Sequence, residues 1–334
     1  MNTILAKYDS YGMHKIYDKW PELAKQFYTT DLDAVDFKNI DHVIFTGMGG
    51  SGAIGDTLAS ILSKTNIHLS VVKGYHLPKT ANKNTVVIAT SASGNTLETL
   101  TVLDNAHKMK CKIIAFSSGG KIEQYCTKNK IEFRNIPVFN SPRASFPVYL
   151  YSILNVLEEL IPMKRSDILE SISALEKMSK KVSSSNLSNN PSIELAKWMN
   201  KIPMIYYPMG LQSVAIRFKN SLQENAKTHA IIEDIIEACH NGIVSWERPS
   251  NIQPILLQGK DDYIKTKNLW KIIKEYFEMN KIEYKEVHSI SGNILSKIIT
   301  LIYLLDYSTI FKATMNKTDP TPIKSIDFVK KRMK

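Results

Sequence analysis

The feature that most constrains the fold is a strand-like run that passes directly into a hydroxyl-rich turn and then a helix. Thr85-Val-Val-Ile-Ala-Thr90 has the β-branched density of a parallel strand buried on both faces, and Leu97, Leu100, Leu103 and Ala106 recur behind it at helical spacing. Ser91-Ala-Ser-Gly-Asn-Thr96 therefore sits where a loop leaves a strand's carboxyl end. Amides that open a helix lack internal partners and carry the positive end of its dipole, so the loop reads as an anion seat. Ser91, Ser93 and Thr96 add hydroxyls, and Gly94 allows close approach.

A second loop of this kind lies earlier. His42-Val-Ile-Phe-Thr46 runs into Gly47-Met-Gly-Gly-Ser-Gly52, followed by the helical periodicity of Ile54, Leu58, Ile61 and Leu62, and Gly49, Gly50 and Ser51 are its candidate anion-binding residues. Gly47, Gly49 and Gly52 fit a dinucleotide fingerprint, but the next strand, Ile67 to Val72, is followed by Lys73 rather than by an acidic residue. No Gly-Lys-Ser or Gly-Lys-Thr follows either loop, which excludes a Walker motif. Ordinary strand-to-helix turns also favour glycine and serine, for geometry and capping. Two such loops with hydroxyls at both helix starts favour a phosphate ligand.

Strand-like segments near 42–46, 67–72, 85–90, 112–116 and 131–136 alternate with helical ones, the pattern of a parallel sheet covered on both faces. Ser179 to Ser192, dense in Ser, Asn and Lys, reads as a helix end and connector. Beyond it, strands are expected at Met204–Tyr207, Pro254–Gln258 and Glu283–His288, with helices near 211–227, 230–240, 262–279 and 292–312. The fold class expected is α/β, with two three-layer α/β/α domains at 1–180 and 192–334 and mainly parallel sheets. A chain of 334 residues that is 43% hydrophobic can fill two cores.

Several function classes lose support. Met1 to Trp20 has no apolar core of signal-peptide length, so a cytoplasmic protein is expected. Ile294 to Phe311 is interrupted by Lys297 and Asp306, as in a buried core helix, and no membrane span is expected. Three scattered cysteines and eight histidines without a ligand spacing suggest neither a disulfide framework nor a metal site. The formal charge of +11 attracts anions, but the lysines are spread out except at Lys330-Lys-Arg-Met-Lys334, so no nucleic-acid partner is expected.

Gly47-Met-Gly-Gly-Ser-Gly52, Ser91-Ala-Ser-Gly-Asn-Thr96, Ser141-Pro-Arg-Ala144, Glu224-Asn-Ala-Lys227, His240-Asn241 and Asp319-Pro-x-Pro with Lys330 occur in an ordered set. Together they make the chain, from about residue 40 to its end, resemble the archaeal bifunctional phosphoglucose/phosphomannose isomerases, which are built from two sugar isomerase (SIS) domains. The resemblance implies an aldose-ketose isomerase that interconverts glucose 6-phosphate and mannose 6-phosphate with fructose 6-phosphate, without cofactor or metal, as a homodimer. It assigns the catalytic base to Glu224, ring opening to His240 and Lys330, and stabilisation of the enediolate to Arg143. It also implies that His240 comes from the partner subunit. The phosphate falls to Gly49, Gly50, Ser51, Ser91, Ser93 and Thr96.

Each assignment has an ordinary structural alternative. Glu224 lies three and four residues before Lys227 and Thr228 and can pair with them on a solvated helix. Cys239-His-Asn-Gly242 is also a good helix-ending sequence. Lys330 has Lys331 as a rival, both on a terminal segment where Ile323, Ile326 and Val329 form an apolar stripe. Arg143 can be a turn arginine paired with a surface carboxylate. Two departures from the resemblance reshape a pocket without removing a reacting group: Ala92 replaces a bulky aromatic, and Ile236-Glu-Ala-Cys239 replaces Pro-Glu-Leu-Asn. A noncatalytic SIS regulator that binds a sugar phosphate would keep the serine loops and have no use for Glu224 or Lys330.

Overall fold

β1 (His42–Thr46), β2 (His68–Val72), β3 (Thr85–Ser91), β4 (Lys112–Ser117) and β5 (Glu132–Asn135) form an all-parallel sheet in the order β2-β1-β3-β4-β5. The computed structural model describes residues 2–333. β1 and β3 are buried at every position, as strands covered on both faces must be. Ile44, Val87, Ala89, Val102, Leu103, Ile113 and Ala115 share one core cluster. The strand order turns back between β1 and β3, so the loops leaving these two strands open at one switch point. Helices Gly49–Leu62 and Leu97–Lys108 follow them. This unit runs Lys19–Ala174 with Asn293–Ser296.

The second unit carries β6 (Ile202–Tyr207), β7 (Ile231–Asp234), β8 (Ile252–Gln258) and β9 (Lys285–His288), parallel throughout, in the order β7-β6-β8-β9. Tyr206, Leu256, Trp270, Ile273 and Phe277 share a core cluster with Ile235 and Ala238. Two differences from the sequence reading stand out. The helix expected over 230–240 is instead β7 followed by a single helical turn, Ile235–Ala238, whose N-terminus Asp234 caps through the amides of Ile236 and Glu237. In addition, the segment up to Asp18 belongs to this second unit rather than to a domain spanning 1–180. It is held there by Tyr17, whose hydroxyl donates to Asp306 at 3.0 Å, and by Asp18, which accepts from Ser184.

Among the described residues one helix, Ile294–Met315, is long and apolar enough to cross a membrane, and most of it is buried within the protein. Inside this helix Asp306 meets Arg217 of helix Gln212–Glu224, with Nε at 3.0 Å and Nη2 at 2.6 Å. Ser221 donates to the other carboxylate oxygen at 2.8 Å, and Asn225 donates to Thr309 at 2.8 Å. The end of the helix that bears Glu224 is thus fixed to the long helix by three polar contacts.

At the amino edge of the first sheet, His42 is buried, stacks on His68 with ring centroids 4.3 Å apart, and shares a hydrogen bond with Ser70 at 2.9 Å. Burial, followed by the neighbouring His68, holds its imidazole below the ordinary 6.5. The unfolded chain therefore binds a proton that the fold resists. The stability from this site is complete above pH 6.5 and is lost as pH falls from there through the lowered value. Urea midpoints measured between about pH 7.5 and 5.5 should fall with pH, and His42→Gln should flatten that slope.

Candidate functional site

Three segments of the first unit converge. A Cβ placed on Gly47 would lie 2.8 Å from the carbonyl oxygen of Thr90, so the loop after β1 lies against the end of β3. A Cβ on Gly50 would come within 3.2 to 3.3 Å of the backbone of Pro142 and Arg143, so the Ser141–Ala144 turn packs directly on the first loop. Ser51 Oγ accepts from the Ala92 amide at 3.2 Å and links the two hydroxyl-rich loops. Ser91 and Thr96 share a hydroxyl-hydroxyl hydrogen bond of 2.9 Å. Arg143 is buried to 4% exposure, so it is not an arginine on an open surface turn.

The helix starts suit an anion. Thr96 stands at the cap position of Leu97–Lys108 in extended conformation but makes no side-chain cap bond, and helix Gly49–Leu62 likewise has no side-chain cap. The first intrahelical bond after β1 runs from Ser51 to Met48 O, so the amides of Gly49 and Gly50 precede it. Gly49, Gly50 and Ser51 of the first loop and Ser91, Ser93 and Thr96 of the second thus lie on adjoining loops at the switch point, with Ser93 exposed. Lys73, which the sequence reading set aside, reaches this region. Its Cε lies 3.3 Å from where a Gly52 Cβ would be, and its Nζ lies 2.5 Å from Asp56.

Gly94 has φ +64, and a Cβ there would lie 1.7 Å from the carbonyl oxygen of Gly119. Any side chain must push the second loop off the neighbouring turn. Gly94→Ala is expected to cost about 1 to 3 kcal/mol of stability, and more where the left-handed backbone cannot relax. It should also weaken phosphate binding; a thermal melt with and without inorganic phosphate measures both effects.

The second unit separates the other candidates. Glu224, half-buried, ends the helix that returns from β6, and the chain then enters the start of β7. His240, exposed, follows the carboxyl end of β7 after the Ile235–Ala238 turn. Four residues of strand, roughly 13 Å, separate the two edges, so within one unit Glu224 and His240 occupy opposite edges of the sheet. Around His240 the turn is tightly built. A Cβ on Gly242 would lie 2.4 Å from Glu233 Oε2, and Asn241 donates to Glu237 at 2.7 Å. Burial, then Glu237 and Asp234, push the Glu233 carboxyl up, and burial, then Glu233 and Asp234, raise the neighbouring Cys239, which stays a thiol.

Lys330 closes helix Lys324–Lys330 and is exposed. The apolar stripe expected there is exposed as well, with Val329 at 52% and Ile326 at 37%, and Ile323 is the residue before the helix. The segment leading into this helix approaches the Glu224 edge. Lys227 donates to the Glu224 carbonyl oxygen at 2.5 Å and to those of Pro320 and Pro322 at 3.4 and 2.8 Å. Spacing alone suggested Lys227 as an ion-pair partner for the Glu224 carboxylate and gave no sign of these long-range contacts.

The family model described as "Bacterial phospho-glucose isomerase C-terminal SIS domain" matches residues 188–333, and the model described as "SIS domain" matches residues 36–134. A protein of Caldicellulosiruptor bescii named bifunctional phosphoglucose/phosphomannose isomerase is 32% identical over 312 residues, 90% of this chain and 91% of its own. A protein of Aquifex aeolicus with the same name is 25% identical over 330 residues, 96% of this chain and 99% of its own. Among solved structures, the C-terminal domain of glucosamine-fructose-6-phosphate aminotransferase from Francisella tularensis aligns with a TM-score of 0.72 at 14% identity. The alignment covers 93% of this chain and 98% of that one, a likeness of fold.

Proposed function

The chain belongs to the bifunctional phosphoglucose/phosphomannose isomerase family, and on that premise we propose that it is a sugar-phosphate isomerase that interconverts glucose 6-phosphate and mannose 6-phosphate with fructose 6-phosphate. The observation that carries this reading is the convergence of the two hydroxyl-bearing helix starts with the buried Arg143 turn. Helix-start amides and the hydroxyls of Ser51, Ser91, Ser93 and Thr96 hold the phosphate, and binding energy gathered there fixes the sugar's carbon chain.

Lys330 and His240 exchange protons with the ring oxygen and the anomeric hydroxyl, so the ring C–O bond breaks and the open chain forms. Glu224 removes the proton from C2 of an aldose, or from C1 of fructose 6-phosphate. The C–H electrons enter the enediolate and the carbonyl oxygen takes up the charge. Arg143 holds that charge, a proton passes between the two enediolate oxygens, from O2 to O1 in the direction of the ketose, and Glu224 returns the carbon-bound proton to the adjacent carbon. This sequence is redox-neutral and draws no oxidant or cofactor into the step. Glu224 and His240 lie at opposite sheet edges of one unit, which supports a homodimer in which His240 serves the partner's site.

The proposal is tested by incubating the pure protein with fructose 6-phosphate and a chelator and assaying both aldose phosphates. The reading requires glucose 6-phosphate to form, and its dual specificity requires a mannose 6-phosphate signal above background. Saturable binding of fructose 6-phosphate with no turnover would instead identify a sugar-phosphate-binding regulator.

A further inference from the structure

We infer that Lys227 is a positioning residue that ties the segment bearing Lys330 to the turn bearing Glu224, an inference that rests on the isomerase reading above. Its left-handed backbone, φ +54, is shared with Lys110, Lys130, Lys281 and Lys317, so that conformation marks nothing by itself. The destination of its ammonium does. The helix closes behind Glu224 with Ala226 and Thr228 amides both donating to Leu222 O, and Lys227 lies between them. Its three donors reach the Glu224 carbonyl at one end and the Pro320 and Pro322 carbonyls at the other, across 93 and 95 residues of sequence.

An ammonium has three hydrogens and no acceptor, so three carbonyl oxygens saturate it. The carbonyl at 224 is one of the last in its helix, at the negative end of the dipole, where a cation is favoured. The prolines at 320 and 322 have no amide hydrogen to offer, so they join no ladder as donors and present their carbonyls. A second tether acts on the same segment. Asp319 accepts from Ser10 Oγ at 2.5 Å and caps the Thr321 amide at 2.9 Å. Two residues after Pro322 the terminal helix begins, and Lys330 lies on its last turn. Beyond these contacts the terminal helix has no buried residue, so the 319–322 segment carries the burden of setting its position.

The consequence is kinetic. Loss of the Lys227 ammonium leaves Glu224 on its anchored helix but loosens the lysine assigned to ring opening. Opening of the ring then becomes the slow step, while proton transfer between C1 and C2 stays fast. Lys227→Met keeps the length of the side chain and removes its donors. Turnover of glucose 6-phosphate should fall about ten- to a hundredfold, with the deuterium isotope effect on 2-deuterated glucose 6-phosphate collapsing towards unity. Lys227→Arg, which still donates, should recover most of both.

Amide hydrogen exchange in 324–330 should quicken in Lys227→Met and stay slow in the 212–224 helix. That readout needs no catalysis: if the wild-type protein does not isomerise, the isomerase reading fails while the tether is still judged by exchange. Wild-type turnover and isotope effect in Lys227→Met overturn the inference. So does slower turnover with an undiminished isotope effect, or unchanged exchange in 324–330.

Discussion

Glu224→Gln is expected to lower kcat for fructose 6-phosphate by about 10²- to 10⁴-fold with little change in KM. The amide keeps the shape of the side chain and loses the ability to take a proton from carbon. Ser221 and Asn225, the residues that fix this end of the helix to Asp306 and Thr309, are untouched by the substitution. In the proposed reading the phosphate is held by loops of the other unit, and that ground-state binding is what KM would report. A Glu224→Gln protein with wild-type turnover would move the base elsewhere even if isomerisation itself is observed.

Asp306→Ala should destabilise the second unit by about 3 to 5 kcal/mol, because it removes the buried carboxylate that Arg217 pairs with. Arg217 is 2% exposed and Asp306 is fully buried, and Tyr17 and Ser221 donate to the same carboxylate. Burial disfavours the charge on Arg217, yet Asp306, with Tyr17 and Glu224, more than offsets this and the net shift is upward, so the guanidinium stays charged. Urea unfolding followed by circular dichroism measures the loss. The double variant Arg217→Met with Asp306→Leu should recover much of it, since an apolar pair of similar volume removes both buried charges together. Equal losses in the single and double variants would show that the carboxylate acts through Tyr17 and Ser221 and that the ion pair itself matters little.

What could be read in the sequence follows from where the physical signal is local. Thr85–Thr90 is a continuous, largely β-branched run, and its length and composition favour a buried parallel strand. The hydroxyl loops are likewise contiguous. β7 was hidden because Ile231-Ile-Glu-Asp-Ile-Ile-Glu-Ala places its isoleucines at helical spacing, and a four-residue edge strand pairs with a single neighbour. The place of the amino-terminal segment in the second unit depends on Tyr17 and Asp18 finding partners at Asp306 and Ser184, far along the chain. Lys227 was visible as a charge near Glu224, but its acceptors are backbone carbonyls of prolines, which no pattern of side chains announces. The candidate site residues lie in short contiguous motifs, so a role can be proposed for each of them from sequence.

The most direct measurement is a crystal structure of the Glu224→Gln protein with fructose 6-phosphate. The account predicts the phosphate within hydrogen-bond distance of Ser51, Ser91, Ser93 and Thr96, with residue 224 of the same chain or its partner facing C1 and C2. A sugar phosphate seated away from those hydroxyls, or one whose first two carbons face no residue 224, would contradict it.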